Sequence, residues 1–288
     1  EISACLVGSE MCIRDSEYIL FAPFFPEYQV FVSCNGGKFV EVAPDTESFQ
    51  INVEALDQAL TPHTQAVIIN SPNNPSGVIY SEETLRELAS LLERRSAEFG
   101  HPIYIIADEP YRELVYDNAV VPFIPSIYRD TVVCYSYSKS LSMPGERIGY
   151  VCIPDTVTDS ALLFAAVAGA SRACGHVCAP SMMQLVIARA AALRPDLAAY
   201  DQNRSLLYNA LTEMGYDCVK PQGAFYMMVK SPNGDSRAFS ELAKRENLLI
   251  VPADTFGCPG FCRVSTCVDP DMIRRSLPAF KKVIEEIR

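Results

Sequence analysis

Lys139 stands in "SYSKSLSMPGERIGY" (residues 136–150), a single lysine among four serines, with Arg147 eight positions on. A primary amine can condense with an aldehyde. The hydroxyls of Ser136 and Ser138 and the guanidinium of Arg147 suit a phosphate, the arginine binding two oxygens at once. Two other segments carry complementary chemistry: "NSPNNPSG" (70–77) with Asn74, and "DEPYRELVY" (108–116) with Asp108 and Tyr111. A carboxylate such as Asp108 can keep a pyridine nitrogen protonated, so that the ring draws electrons. Tyr111 and Asn74 can donate hydrogen bonds to a phenolate oxygen. Singly, each group has an ordinary explanation. A Ser-Lys pair is commonly a solvated loop, an Asp after a strand is commonly a turn or helix cap, and "NNPSG" is an everyday turn. Together they describe a ligand with an aldehyde, a pyridine nitrogen, a phenolate oxygen and a phosphate.

The elements around these segments determine whether they can meet. "AVIIN", "PIYIIAD" and "TVVCYS" are apolar, β-branched runs, and each ends where one of the three segments begins. With "YILFA", "GKFVEV" and "RIGYVCI" they predict six strands. Between them "SEETLRELASLLERRSAEFG" (81–100) predicts a helix with a Ser cap, an acidic first turn, a basic last turn and a terminal Gly. Near-continuous apolar strands alternating with amphipathic helices indicate an α/β fold, a mostly parallel sheet with helices on both faces. Such sheets bind ligands at the carboxyl ends of their strands, which puts Asn74, Asp108, Tyr111, Ser136 and Lys139 on one rim. Beyond about residue 180 the texture changes. Helical stretches at 181–194, 196–214 and 269–287 surround short strands "GAFYMMV", "LLIVP" and "FCRVS". The chain is therefore read as a large cofactor-binding domain over 17–190 and a small α+β domain over 191–288.

The 288 residues are 49% hydrophobic and 20% charged, with a formal net charge of −11, and the isoelectric point is about 4.8. That acidity disfavours nucleic acid or an anionic membrane as a partner. The longest apolar run, "ALLFAAVAGA", is too short to span a bilayer, and the start lacks the features of a secretion signal. Eleven cysteines form no paired zinc spacing and sit mostly in apolar runs, so they are expected to be reduced core residues of a cytoplasmic protein. His63, His101 and His176 show no partner pattern and are read as structural or exposed. The opening "CLVGSEMCIRDS" (5–16) has neither helical nor strand periodicity, and residues 1–16 are read as foreign in part.

The ligand so described is pyridoxal 5'-phosphate. From about residue 17 onward the chain resembles the class I/II aminotransferases, fold-type I enzymes that use this cofactor. "NSPNNPSG" resembles the family's Asn-Pro-x-Asn-Pro-Thr/Ser-Gly motif, "DEPYRELVY" its Asp-x-x-Tyr motif, and "SYSKSLSMPGERIGY" its lysine signature. "FCRVS" resembles the late motif whose arginine, here Arg263, binds the substrate α-carboxylate. "APFFPEY" resembles the segment that stacks an aromatic, here Phe25, on the cofactor ring. From residue type alone Phe25 is equally a core aromatic. Arg263 in an apolar strand needs an anion, which substrate or a structural carboxylate could equally supply.

The resemblance implies transfer of an amino group between an amino acid and a 2-oxo acid, in a homodimer. Lys139 would hold the cofactor and move the α-proton, Asp108 would support the electron sink, and Tyr111 and Asn74 would tune the ring oxygen. It also implies a preceding small-domain piece and a phosphate-binding helix start that this sequence lacks, so the chain is expected to be an inactive fragment. Two other readings use the same residues: a carbon–sulfur β-lyase or other lyase on this fold, and a cofactor-binding regulator domain. The sequence contains no basic helix-turn-helix segment.

Overall fold

A computed structural model describes residues 15–287. Most of the opening stretch read as foreign lies outside the described residues. Six strands form one sheet: β1 (Glu17–Phe21), β2 (Lys38–Val42), β3 (Thr64–Asn70), β4 (Tyr104–Asp108), β5 (Thr131–Ser136) and β6 (Gly149–Cys152). Their order is β2-β1-β3-β4-β5-β6. All neighbours are parallel except β6, which runs antiparallel to β5 and forms an edge. Helices α1 (Glu27–Cys34), α2 (Val53–Ala59) and α3 (Glu82–Phe99) make the first three crossovers.

Both faces of the sheet are covered, which explains why its central strands read as continuous apolar runs rather than alternating ones. On one face Ile19, Val67, Ile69, Ile105 and Val133 pack with Leu56 of α2 and Leu85, Leu88 and Leu92 of α3. On the other, Leu20, Ile68, Ile106 and Val132 pack with Tyr28 and Val32 of α1 and with Leu163 and Val167 further along the chain. The side chain of Ser81 caps α3 by accepting from the Thr84 amide, and Gly100 closes it in the left-handed conformation. The expected basic last turn is absent. Arg94 and Arg95 lie a turn earlier and reach sideways to Asp57 of α2, where a carboxylate offers more than the helix end does.

After β5 come the single-turn helix α4 (Tyr137–Ser140), then α5 (Ser160–Ala173), α6 (Ser181–Ala190) and α7 (Leu197–Glu213). The run "ALLFAAVAGA" is thus the body of α5, and no helix among the described residues is long and apolar enough to cross a membrane. The expectation of core cysteines holds only in part. Cys134, Cys258 and Cys262 are buried, whereas Cys34, Cys152, Cys174, Cys178 and Cys267 are exposed. Cys152 takes an outward position on edge strand β6, and Cys174 and Cys178 flank the α5–α6 connection, where no layer covers them.

The second sheet has the order β7-β9-β8 and is antiparallel throughout. It is built from β7 (Tyr226–Lys230), α8 (Ser236–Arg245), β8 (Val251–Pro252), β9 (Phe261–Ser265) and α9 (Pro270–Ile287). Leu207 and Leu211 of α7, Met227 and Val229 of β7, Phe239 of α8, and Phe280 and Ile284 of α9 form its core.

The two sheets meet through a backbone latch. Gly77 O accepts from Gln222 N (2.8 Å) and Gly223 N (2.9 Å), and Leu114 O accepts from Ala224 N (2.9 Å). The approach is close enough that a Cβ on Gly223 would lie 2.6 Å from Pro72 Cβ and 2.9 Å from Leu114 O, so only glycine fits. Arg204 of α7, 1% exposed, ties the same junction. It donates to both carboxylate oxygens of Asp117 (2.9 and 3.0 Å) and to Pro221 O (2.7 Å). A buried guanidinium requires such saturation of its donors.

Candidate active site

The carboxyl ends of β3, β4 and β5 line up as the register dictates, with Asn70 opposite Asp108 and Asp108 opposite Cys134. Past β3 the chain enters "SPNNPSG", a loop buried throughout. A buried loop must satisfy its own polar groups. Asn73 Oδ1 accepts from the Ser76 amide and hydroxyl, Asn73 O accepts from Gly77 N, and Asn73 Nδ2 donates to Pro23 O. Asn70 ties this loop to β4: Nδ2 donates to Asp108 O (2.8 Å) and Oδ1 accepts from the Asn74 amide (2.7 Å).

Asp108 is the last residue of β4 and faces a cleft of about 250 Å³. Tyr28 of α1, itself buried, donates its hydroxyl to Asp108 Oδ2 at 2.5 Å. Burial pushes the Asp108 carboxyl up to about 6, against the opposing pull of the Tyr28 hydroxyl and the Lys139 ammonium. Tyr28 lies three residues beyond Phe25, and the two rings meet edge to face at 5.6 Å.

Ser136 ends β5 and begins α4, where its Oγ accepts from the Ser138 amide (3.1 Å) and shares a hydrogen bond with Ser138 Oγ (2.6 Å). This short turn swings Lys139 back over the strand ends. The turn at 144–146 leaves Arg147 in the left-handed region (φ 51°), with Nη1 donating to Pro144 O at 2.8 Å. Burial lowers the affinity of Lys139 for its proton.

Six of the expected residues line this one cleft: Phe25, Asp108, Ser136, Ser138, Lys139 and Arg147. Tyr111, Asn74 and Arg263 do not line it but stand beside it. The Tyr111 ring centroid is 5.9 Å from Lys139 Nζ. Burial, reinforced by neighbouring Tyr226, holds the Tyr111 hydroxyl well above its ordinary pKa. Arg263 on β9 donates from Nη1 to Asn74 Oδ1 (2.9 Å) and lies between the rings of Tyr226 (4.4 Å) and Phe256 (4.9 Å). Among the described residues the side-chain hydrogen bond of Arg263 goes to an amide oxygen, that of Asn74, and not to a carboxylate.

Sequence reasoning missed Tyr28, Asn70 and the aromatic neighbours of Arg263. The signal for Tyr28 was present in "APFFPEY", but its partner is 80 positions away. The histidines are structural or exposed as expected; the ring of His101 sits between Pro62 O and Pro102 O.

The profile of the family described as aminotransferase class I and II matches residues 2–280. The chain belongs to that family. The chain is 30% identical to aromatic-amino-acid aminotransferase 2 of Thermococcus litoralis, over 98% of this chain and 73% of that protein. It is likewise 30% identical to an aspartate aminotransferase of Pyrococcus abyssi, over 98% and 74%. Among solved structures, an aminotransferase from Eubacterium rectale superposes with a TM-score of 0.96 at 56% identity, covering 99% of this chain and 71% of that one. As an aminotransferase the protein moves an amino group between an amino acid and a 2-oxo acid and uses pyridoxal phosphate. The residues present fit that cofactor: one cleft holds an amine, a carboxylate, two hydroxyls, a guanidinium and an aromatic ring.

Proposed function

We propose that Lys139 is the reacting amine of this aminotransferase, holding the cofactor by its aldehyde and, when its Nζ is free, taking and returning the substrate α-proton. The observation that carries this reading is the presence of Lys139, Asp108, Ser136, Ser138 and Arg147 in a single cleft. When bound, the cofactor supplies an electron sink for the carbon that loses the proton. Asp108 holds a positive charge opposite its carboxylate, and Tyr28 keeps that carboxylate aimed. Ser136, Ser138 and Arg147 would hold the phosphate. Phe25 would pack on the ring, and Tyr111 and Asn74 would donate to its oxygen. Arg263 binds the substrate α-carboxylate; its clamp between two rings and its link to Asn74 support that role. Burial lowers the affinity of Lys139 for its proton, the direction that favours the neutral form a base requires.

Two domains over 17–190 and 191–288 are supported by the two separate sheets and cores. A homodimer is supported by an uncovered apolar face on α5 and α6, where Leu162, Phe164, Met182 and Leu185 are each about two-thirds exposed or more. The cytoplasm as location is supported by the exposed thiols of Cys34, Cys152, Cys174, Cys178 and Cys267, which form no disulfide among the described residues. The net charge of −11 favours small-molecule partners over nucleic acid or membrane.

The test is reduction of the cofactor-loaded protein with borohydride followed by peptide mapping. A fixed adduct on the peptide carrying Lys139 is expected, and Lys139→Ala is expected to lose both the adduct and turnover. An adduct on any other lysine would overturn the assignment.

A further inference from the structure

Rings from both sheets converge on Lys139. Its Nζ is 5.6 Å from the centroid of Phe225 and 5.9 Å from that of Tyr111, both within the roughly 6 Å over which a ring face attracts a cation. The two rings stand edge to face, 5.4 Å apart at 86°, and so form two walls of a corner. Phe225 is braced from behind by Tyr200, stacked at 6.1 Å and 18°, and by Tyr226 at 4.8 Å. Its backbone oxygen accepts from Thr266 N at 2.9 Å, which fixes it to the turn after β9. Tyr111 belongs to the loop after β4, whereas Phe225 immediately precedes β7 of the other sheet.

We propose that Phe225 is a positioning residue for Lys139, its ring completing with Tyr111 a cage that holds the ammonium, when no cofactor is attached, at the cleft wall. The cage exists only while the second sheet is docked on the first, so the junction of the two sheets sets the orientation of the amine. The inference rests on Lys139 being the reacting amine, as proposed above. Other groups facing the amine carry charge of both signs. Burial acts first against the proton, Arg147 and Arg263 act with it, and Cys267 and Asp108 act the other way. The rings add a directional attraction that none of these supplies.

The test uses cofactor-free protein and competitive acetylation across a pH series, with the exposed Lys281 as internal reference and mass spectrometry of the Lys139 peptide as readout. In Phe225→Leu the proton affinity of Lys139 should fall roughly three- to tenfold, and its acetylation relative to Lys281 should rise by the same factor below its pKa. Phe225→Tyr, which keeps a ring face, should restore the wild-type profile. Tyr200→Leu, which removes only the brace, should shift it in the same direction by less. In the loaded enzyme Phe225→Leu should lower kcat with little change in KM. An unmoved Lys139 profile in folded Phe225→Leu and Tyr200→Leu would overturn the cage. So would a shift in Phe225→Leu that Phe225→Tyr fails to reverse. Borohydride mapping on the same variants separates the two claims. An adduct on another lysine sinks the reading of Lys139, whereas an adduct on Lys139 with an unmoved profile sinks the cage alone.

Discussion

The burial of Asp108 has a cost in stability. Burial raises its pKa from 3.8 to about 6, so the folded chain binds a proton more tightly than the unfolded one. Stability therefore falls as pH rises between those two values. Above that window the ionised carboxylate costs about 2–3 kcal/mol in the cofactor-free protein. Asp108→Asn keeps an acceptor for Tyr28 and removes the charge. It should raise the Tm of cofactor-free protein at neutral pH and leave it nearly unchanged near pH 4, a contrast that calorimetry can read. The same variant, loaded, should lose at least tenfold in kcat, because the group opposite the developing charge is gone. Arg263→Lys tests the other end of the site. An ammonium cannot reproduce the guanidinium's two-pronged bond, so carboxylate inhibitors should bind roughly tenfold more weakly, the loss of one charge-assisted bond of about 1.5 kcal/mol. Isothermal titration would check it. That Lys139, Asp108, Ser136, Ser138 and Arg147 share one cleft was legible in the sequence, because short polar motifs at the ends of apolar strands fall on one rim. Tyr28, Asn70 and Phe225 were not, because their roles come from partners 80, 38 and 86 positions away, the last being the separation of Phe225 from Lys139.

At the scale of elements, every expected strand formed, since an apolar run at a sheet centre has few alternatives. The reversal of β6 was not visible, because direction depends on the connection and not on the strand's composition. Helices α1, α2, α5 and α8 were also unread. The first two are short, α5 is apolar nearly all round, and α8 is ten residues long with an apolar face limited to Phe239, Leu242 and Ala243. The latch between "NNPSG" and "PQGAFY" joins segments that look like separate turns in sequence. Gly223→Ala puts a methyl within 2.6 Å of Pro72. That overpacking should cost about 1–3 kcal/mol, seen as a lower Tm. A displaced latch should also weaken carboxylate binding at Arg263, since the second sheet carries it.

For the whole molecule, the uncovered apolar face of α5 and α6 is where the proposed homodimer would close. Leu185→Asp and Phe164→Asp should shift sedimentation toward a monomer without lowering the Tm of the isolated chain, because neither side chain is part of a core. An unchanged sedimentation profile in both would count against the dimer through this face.

The bond from Arg263 to Asn74 spans 189 positions of the chain. Contacts of such separation form late, since the loop they close must first lose its freedom. The sheet carrying Asp108 can assemble from neighbours in sequence, but the Arg263 side of the candidate site waits for the last third of the chain to fold and dock. During refolding, then, ligand affinity should appear after most of the helical signal has recovered. The site would serve as a clock that strikes only when the two sheets have found each other.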